Sequence, residues 1–471
     1  MRTRGQARTV TVGGDRGSGT LEYLGIVVVA ALLVVAAVTA VVRTDVGETV
    51  ACQLRSIASQ AGTCGAPEVP TTYGDAGDGP AAGAPGAGGD SGGDAGEEPP
   101  AGVHYVNASD PPEVDPERVQ TALDDLRDAL DGGFWGVRGG DLADARDAVS
   151  ALNGAEVDAL IAGMTDDELA HWISQMEDGW LFGGWDREDR RELWEVFASK
   201  ASKETLDRLA GLTDELEPRF DGVGGDSARD NPQSPANSGE YGEIPHQLVV
   251  DGIAPGDVSQ GQIGDCWFIA SLMAIAQADP SVIEDAITVN DNGTYTVRLY
   301  DDGREVEVTV TPEMVLDGGN PAFVRSPAGE DGHELWPMVM EKALALHWGD
   351  FHAIEGDSPG LGLELVTGVP SERRSLDDAG GAGSLADYLA EGGAVTLATF
   401  TESDDNPDIY HLDPSSGGLA SNHAYYVSAV DVENGTVTVT NPWGAGWPTV
   451  TMTYGEFEDS FSSIYFNEVA R

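Results

Sequence analysis

A single cysteine stands between a glycine-rich loop and a helix that is apolar on every side. Residues 260–272 read QGQIGDCWFIASL, and the apolar run continues as MAIA. Because a helix that is apolar all round has to be buried, this segment requires a folded domain around it. Cys266 would begin the helix, where unpaired backbone N–H groups and the helix dipole favour a thiolate. The pattern therefore predicts a buried helix with a reactive cysteine at its N-terminus.

A nucleophilic cysteine needs a base, a group that orients the base, and donors for the developing oxyanion. Gln260 precedes Cys266 in the same loop and could place its side-chain amide beside the Cys266 backbone N–H. Farther along, His423 opens the apolar run in SNHAYYVSAV, and Asn441 closes the run in ENGTVTVTNPWG. The two runs read as antiparallel strands, which makes His423 and Asn441 the candidate base and its orienting group.

The register of these two strands decides whether His423 and Asn441 can meet. A tight turn at 434–435 would pair Ser428 with Asn441 and leave His423 about 16 Å away at strand spacing. A longer loop over 429–435, or a β-bulge, would bring the two side chains together. We predict the longer loop or the bulge.

Together these segments resemble the calpain family of papain-like cysteine proteases. The shared motifs are Gln-Gly...Gly-Asp-Cys-Trp, His-Ala-Tyr and Asn-Pro-Trp-Gly, in the family's order Cys, His, Asn. The separations of 157 and 175 residues from the cysteine exceed the papain-like pattern of roughly 130 to 150, as insertions would explain. Segments ELWPMVMEKALALHWG and MTYGEFEDSFSSIYF also resemble the family, so the likeness covers nearly all of 244–471.

The resemblance implies an α+β fold, a papain-like two-lobed cysteine protease domain over 244–471, acting as an endopeptidase on protein or peptide substrates. It makes Cys266 the nucleophile, His423 the general base and then acid, Asn441 the group that orients His423, and Gln260 the oxyanion donor. Two alternatives stay open. One is an acyl transferase on the same fold, delivered as a secreted effector or toxin; the other is a pilus-associated surface protein whose inactive protease fold serves for binding.

Cofactor predictions follow from the same resemblance. Animal calpains are gated by calcium, but the ligands of that family cannot be mapped here residue by residue. We expect no cofactor to be required and leave calcium open, because acidic loops such as 402–408 lack the EF-hand spacing and suit a solvated acidic face. Zinc is disfavoured, since the eight histidines and three cysteines show no paired ligand spacing.

The N-terminal segment, residues 1–64, contains an uncharged apolar run at 24–42 that is about long enough to cross a bilayer as a helix. Four arginines precede it, so the positive-inside rule predicts a single-pass membrane protein with its catalytic domain outside the cytoplasm. Residues 17–23, GSGTLEY, place Glu22 five residues after Gly17 and resemble a prepilin or Flp-type pilin leader. A removable secretory signal is the competing interpretation.

The middle of the chain alternates between polar spacers and a helical segment. Residues 65–112 are mostly Gly, Ala, Pro and Asp and predict a disordered tether. Residues 113–217 predict a small all-helical domain, and 218–243 predict a second linker before the protease domain. In the helical domain, Asp115 is expected to cap the first helix, and Thr165 with Glu168 to form a capping box. Its tryptophans could line a groove, with core packing as the default.

Charge limits the class of partner. The chain carries 81 acidic against 25 basic residues, a formal net charge of −56. Such a chain repels phosphates and anionic lipid headgroups, so a nucleic-acid binder is excluded and basic substrates are favoured. Of the three cysteines, Cys52 and Cys64 could pair outside the membrane, which leaves Cys266 as the free thiol.

Overall fold

The computed structural model describes residues 113–130, 139–177, 185, 187–225, 231, 234–327 and 332–469. The predicted leader, the apolar run 24–42, the tether 65–112, and Cys52 with Cys64 lie outside these residues. In the part of the chain that is described, no helix combines the length and apolar character needed to span a membrane.

The helical region contains the helices α1 (Pro116–Leu130), α2 (Gly139–Ser150), α3 (Gly154–Ala162), α4 (Asp166–Glu177), α5 (Arg187–Ala198) and α6 (Lys203–Ala210). Asp115 Oδ1 caps α1 by accepting two backbone N–H groups, as predicted. Thr165 accepts the Glu168 N–H, but the Glu168 carboxylate binds Arg127 at 2.7 Å, so the expected capping box is only half formed.

The tryptophans of this region that the structure describes are buried. Trp172 and Trp194 pack with ring centroids 6.0 Å apart, and Trp185 is equally inaccessible to solvent. These residues belong to a core of their own, formed by the apolar faces of the six helices. Core packing is therefore their role here, and a tryptophan-lined groove is not formed by them.

The C-terminal part has two lobes. The first lobe contains α7 (Pro235–Ser238), β1 (Glu240–Gly242), β2 (His246–Gln247), α8 (Cys266–Ala278), α9 (Ser281–Glu284), β3 (Ile287–Val289), β4 (Tyr295–Asp301), β5 (Arg304–Val310), β6 (Met314–Asp317), β7 (Asn320–Pro321), β8 (His333–Glu334), α10 (Trp336–Trp348) and α11 (Pro359–Thr367). The second contains β9 (Glu372–Arg374), α12 (Gly381–Ala390), β10 (Gly393–Ala398), β11 (Ala424–Asp431), β12 (Thr436–Thr440), β13 (Val450–Thr453), α13 (Tyr454–Ser460) and β14 (Ser463–Glu468).

The helix α8 is the structural centre of this part. It packs against α11 in the first lobe and against β10 and β11 in the second, and all its residues from 267 to 276 are buried, as its all-round apolar sequence predicts. The second lobe is a six-stranded antiparallel sheet in the order β13-β12-β11-β10-β14-β9. The N-terminus of α8 therefore meets the strands that carry the candidate base.

Some described residues of the predicted linker 218–243 contact the first lobe. Val223 is 2% exposed in the core of the first lobe, and β1 pairs with β6 in an antiparallel register. The polar, glycine-rich composition suggested a linker because it shows no periodic pattern, yet strand pairing and apolar contacts hold some of its described residues against the first lobe.

The register of β11 and β12 follows the prediction. Tyr426 pairs with Thr440 and Val427 with Val439, whereas the next pair is Ala429 with Thr438. Ser428 is therefore the extra residue of a bulge, and a four-residue loop, 432–435, joins the strands. This register brings the ends of the two strands, where the candidate base and its orienting group lie, to the same edge of the sheet.

Candidate active site

Cys266 is the first residue of α8 and is half-buried. Asp265 precedes it at the N-cap but makes no capping bond to the helix, because its carboxyl group points into the protein. The thiol lies beside the backbone N–H of Ala424, the residue that follows His423. The structure thus brings the candidate nucleophile to the start of β11, although the two segments are far apart in sequence.

The charge state of the Cys266 thiol differs from the prediction. Burial raises the pKa of the thiol to about 12, and the Asp265 carboxylate acts in the same direction. The N–H groups of Ala424, Trp267 and Cys266 itself lower this pKa, but they do not offset the burial. The expectation of a helix-stabilised thiolate is wrong for this state because desolvation outweighs the helix N-terminus.

His423 and Asn441 are in contact. The His423 Nε2 and Asn441 Oδ1 atoms are 2.9 Å apart. Asn441 Oδ1 also accepts the backbone N–H of Trp443 at 3.0 Å, and Asn441 Nδ2 donates to the Tyr425 hydroxyl at 3.3 Å. These two contacts fix which end of the amide faces the ring, so Nε2 carries a hydrogen and Nδ1 is left as an acceptor.

Aromatic rings close around this contact. The Trp443 ring lies 4.7 Å from the His423 ring between centroids, and the Tyr425 ring meets it edge-on at 5.3 Å. His423 is 9% exposed, and burial lowers the pKa of its imidazole to about 4, against the raising effect of the Asn441 bond. The candidate pair is therefore a neutral thiol beside a neutral imidazole.

The backbone of His423 is held by Thr399. The His423 N–H donates to Thr399 Oγ1 at 2.8 Å, and the Thr399 N–H donates to the His423 carbonyl at 2.9 Å. Sequence reasoning missed Thr399 and Tyr425 as parts of the site. Tyr425 stood in the quoted His-Ala-Tyr segment, whereas nothing in the local sequence around Thr399 marks its role.

Gln260 is buried in the loop before Cys266. Its Nε2 donates to the Ile263 carbonyl at 2.7 Å and to Asp265 Oδ1 at 3.2 Å. Both amide hydrogens are therefore engaged, while Oε1 has no partner among the described residues. The side chain lies in the expected loop, but its donors bind the loop itself in this state.

A family model described as "Calpain family cysteine protease" matches residues 236–454. The chain contains a calpain-type cysteine protease domain. Among relatives of this domain, the calpain-type cysteine protease DEK1 of Zea mays is 32% identical over 201 residues, 40% of this chain and 9% of the relative. Calpain clp-1 of Caenorhabditis elegans is 25% identical over 209 residues, 42% of this chain and 26% of the relative.

A third relative, the calpain-1 catalytic subunit of Homo sapiens, is 30% identical over 131 residues, 27% of this chain and 18% of the relative. The chain therefore spans a minor part of each relative's length. The matches to the calpain-type domain support the predicted cysteine endopeptidase. The helical region before residue 236 lies outside the family match.

Metal binding was tested on the residues of the calpain-type domain. Within the described ranges, no three His, Cys, Asp or Glu side chains cluster so that they could hold a metal ion. The acidic segment 402–408 forms no such cluster either. The described side chains do not fit a calcium site built on carboxylates.

Proposed function

We propose that the chain is a cysteine endopeptidase that hydrolyses peptide bonds of proteins through Cys266, His423 and Asn441. The observation that carries the proposal is the 2.9 Å contact between His423 Nε2 and Asn441 Oδ1, next to the Cys266 thiol at the N-terminus of α8. The contact gives His423 the tautomer that a base needs, with Nδ1 free to accept the thiol proton.

The reaction starts from a neutral pair. The Cys266 Sγ–H proton passes to His423 Nδ1 as Sγ attacks the peptide carbonyl, which gives a tetrahedral oxyanion. The C–N bond then breaks, and the imidazolium gives its proton to the leaving amine. Water, deprotonated by Nδ1, attacks the thioester; the carboxylic acid leaves, and Sγ recovers its proton. Burial of both groups keeps the separated charges transient, since the charged forms are desolvated.

The oxyanion needs at least two donors. The Cys266 backbone N–H is one, because the first residues of a helix have no partners for their N–H groups. Gln260 Nε2 is the other when it exchanges its bond to Ile263 or Asp265 for one to the substrate oxygen. This exchange is local, since both partners lie within the same loop.

The substrate class and the location of the catalytic domain are also part of the proposal. The net charge of −56 favours basic, unfolded protein segments as substrates. The apolar run 24–42 and its preceding arginines favour a single membrane anchor, with a pilin-like leader and an extracytoplasmic catalytic domain. The chemistry described requires no cofactor.

The test uses the full chain in a mild detergent and an unfolded basic protein as substrate. Wild-type protein should cleave it, Cys266→Ala should not, and Cys52→Ala with Cys64→Ala should cleave like wild type. Each assay is run with added calcium and with a chelator. Absence of cleavage under every condition would overturn the proposal. Products that carry an added amine would instead favour the acyl transferase.

A further inference from the structure

Two carboxyl groups meet beneath the candidate nucleophile. Asp265 is 0% and Glu341 2% exposed, and their side chains are within hydrogen-bond reach of each other. Glu341, on α10, accepts the Val324 N–H on Oε1 at 3.0 Å. Asp265 accepts Gln260 Nε2 on Oδ1, whereas its Oδ2 has no donor among the described residues. Asp265 Oδ2 is therefore a buried acceptor that receives no hydrogen bond from the described residues.

Among the described residues, no cation forms an ion pair with either carboxyl group. Lys342 is next to Glu341 in sequence, but its ammonium binds the Thr311 and Glu313 backbone and the Glu217 carboxylate. The other charged group that faces Asp265 is the Glu355 carboxyl, which adds negative charge. Two buried carboxylates without a cation cannot both stay ionised, so the pair has to hold a proton.

The hydrogen bonds indicate where that proton lies. Asp265 Oδ1 and Glu341 Oε1 both act as acceptors, from Gln260 and Val324 respectively. A hydrogen on the second oxygen of Glu341, directed at Asp265 Oδ2, gives the unpartnered oxygen its donor. Burial raises the pKa of Glu341 well above its ordinary value, and the charge of Asp265 adds to this effect.

We propose that Glu341 is a positioning residue of the calpain-type site: its protonated carboxyl donates to Asp265 Oδ2, and Asp265 in turn holds the Gln260 amide beside Cys266. The positioning role rests on the proposed function, whereas the shared proton does not. The arrangement joins α10 to the loop that carries the nucleophile. It also places one negative charge, not two, next to the thiol.

Three variants of the full chain separate the proton from the positioning. Glu341→Gln keeps a donor for Asp265 and an acceptor for Val324, whereas Glu341→Leu removes both. Glu364→Gln is the matched control, because Glu364 is a half-buried acid on α11 that accepts the Ser371 N–H away from the site. Circular dichroism checks that each variant is folded.

Infrared spectroscopy tests the shared proton without any substrate. At neutral pH, Glu341→Gln should lose one protonated-carboxyl C=O band that wild type and Glu364→Gln retain. An unchanged band in folded Glu341→Gln would overturn the proposal. Because this measurement needs no substrate turnover, it shows whether the Glu341 carboxyl is protonated even if the wild-type protein proves inactive and the proposed function fails.

Kinetics test the positioning. Glu341→Gln should keep kcat within about 3-fold, while Glu341→Leu should lose about 10²-fold in kcat at nearly constant KM, at the low end of the loss of about 10²- to 10³-fold that removal of an oxyanion donor causes. A kcat that is retained in Glu341→Gln but lost in Glu341→Leu is the result that a merely apolar packing role of the side chain would not give. Equal activity of folded Glu341→Leu and wild type would show that Glu341 does not position the site.

Discussion

His423 Nε2 lies 2.9 Å from Asn441 Oδ1 because Ser428 is bulged out of β11. If Ser428 were paired as a regular strand residue, the register that starts at Asp431 and Thr436 would place Asn441 opposite Tyr426 instead of Tyr425, with its side chain on the face away from His423. The bulge therefore sets both the distance and the facing of the two side chains.

Asn441→Ala should lower kcat on the order of 10²-fold with little change in KM, because positioned acid–base catalysis contributes about 10²- to 10⁴-fold and the imidazole would lose its fixed tautomer. Steady-state kinetics on the full chain measure this. Asn434→Ala is the control: Asn434 lies in the loop 432–435 and donates to the carboxylate of Asp431, the last residue of β11. Equal kcat for the two variants would contradict the orienting role of Asn441.

Deleting Ser428 should preserve most of the activity, because Ala429 would still pair with Thr438 and Val427 with Val439, so that Asn441 keeps its place beside His423. Ser428→Ala should retain most of it, since the bulge is a property of the backbone and only the hydroxyl contacts with Thr438 and Thr440 are lost. Activity and circular dichroism are measured together. A folded deletion variant that has lost its activity would show that the bulge sets more than the pairing of the two strands.

The sequence could predict the parts of the site that local patterns encode. The all-round apolar helix after Cys266 is buried as expected, and the spacing of His423 and Asn441 required a bulge that is present. The domain boundaries and residue roles stay predictions. The direction in which the pKa of the Cys266 thiol shifts could not be predicted from the local sequence. It depends on the burial of Cys266 between the two lobes and on the Asp265 carboxyl, which points into the protein.

Other features depend on neighbours that are distant in sequence. Glu341 and Lys342 are adjacent on α10, yet one faces Asp265 and the other Glu217. No periodic pattern distinguishes these two environments, since both residues are buried polar positions in an otherwise apolar helix. Glu168 likewise binds Arg127 on another helix instead of completing its own capping box.

The pH profile of kcat/KM should be flat from about pH 5.5 to 9 and fall only as pH approaches the His423 pKa of about 4. Below that pKa His423 is protonated and cannot accept the thiol proton, whereas the Cys266 pKa of about 12 keeps the thiol neutral through the range. Initial rates at low substrate, with folding checked at each pH, test this. An acid limb near 6.5 would contradict a desolvated imidazole.

Glu217→Ala should destabilise the fold by about 3–5 kcal/mol, the cost of leaving one charge of a buried pair without its partner. Lys342 Nζ is 2.5 Å from Glu217 Oε2, and the Lys342 side chain is 1% exposed. Urea unfolding of Glu217→Ala, Lys342→Met and the double variant measures the coupling. Recovery of stability in the double variant is expected; strictly additive losses would show that the two charges act independently.

Glu195→Gln should become more stable relative to wild type as pH rises from about 4.5 to 7. Glu195, on α5, accepts the Thr309 N–H at 2.7 Å, and burial raises the pKa of its carboxyl to about 7. Because the folded state binds a proton that the unfolded state has released, wild-type stability falls through this window by at most about 1.4 kcal/mol per pH unit. The glutamine keeps an acceptor and does not ionise.

Thermal unfolding at pH 5 and pH 8 measures the difference in stability between Glu195→Gln and wild type. The control is Glu192→Gln, which replaces an exposed acid of the same helix. A difference between Glu195→Gln and wild type that does not change with pH would show that Glu195 ionises at its ordinary pKa in the folded protein.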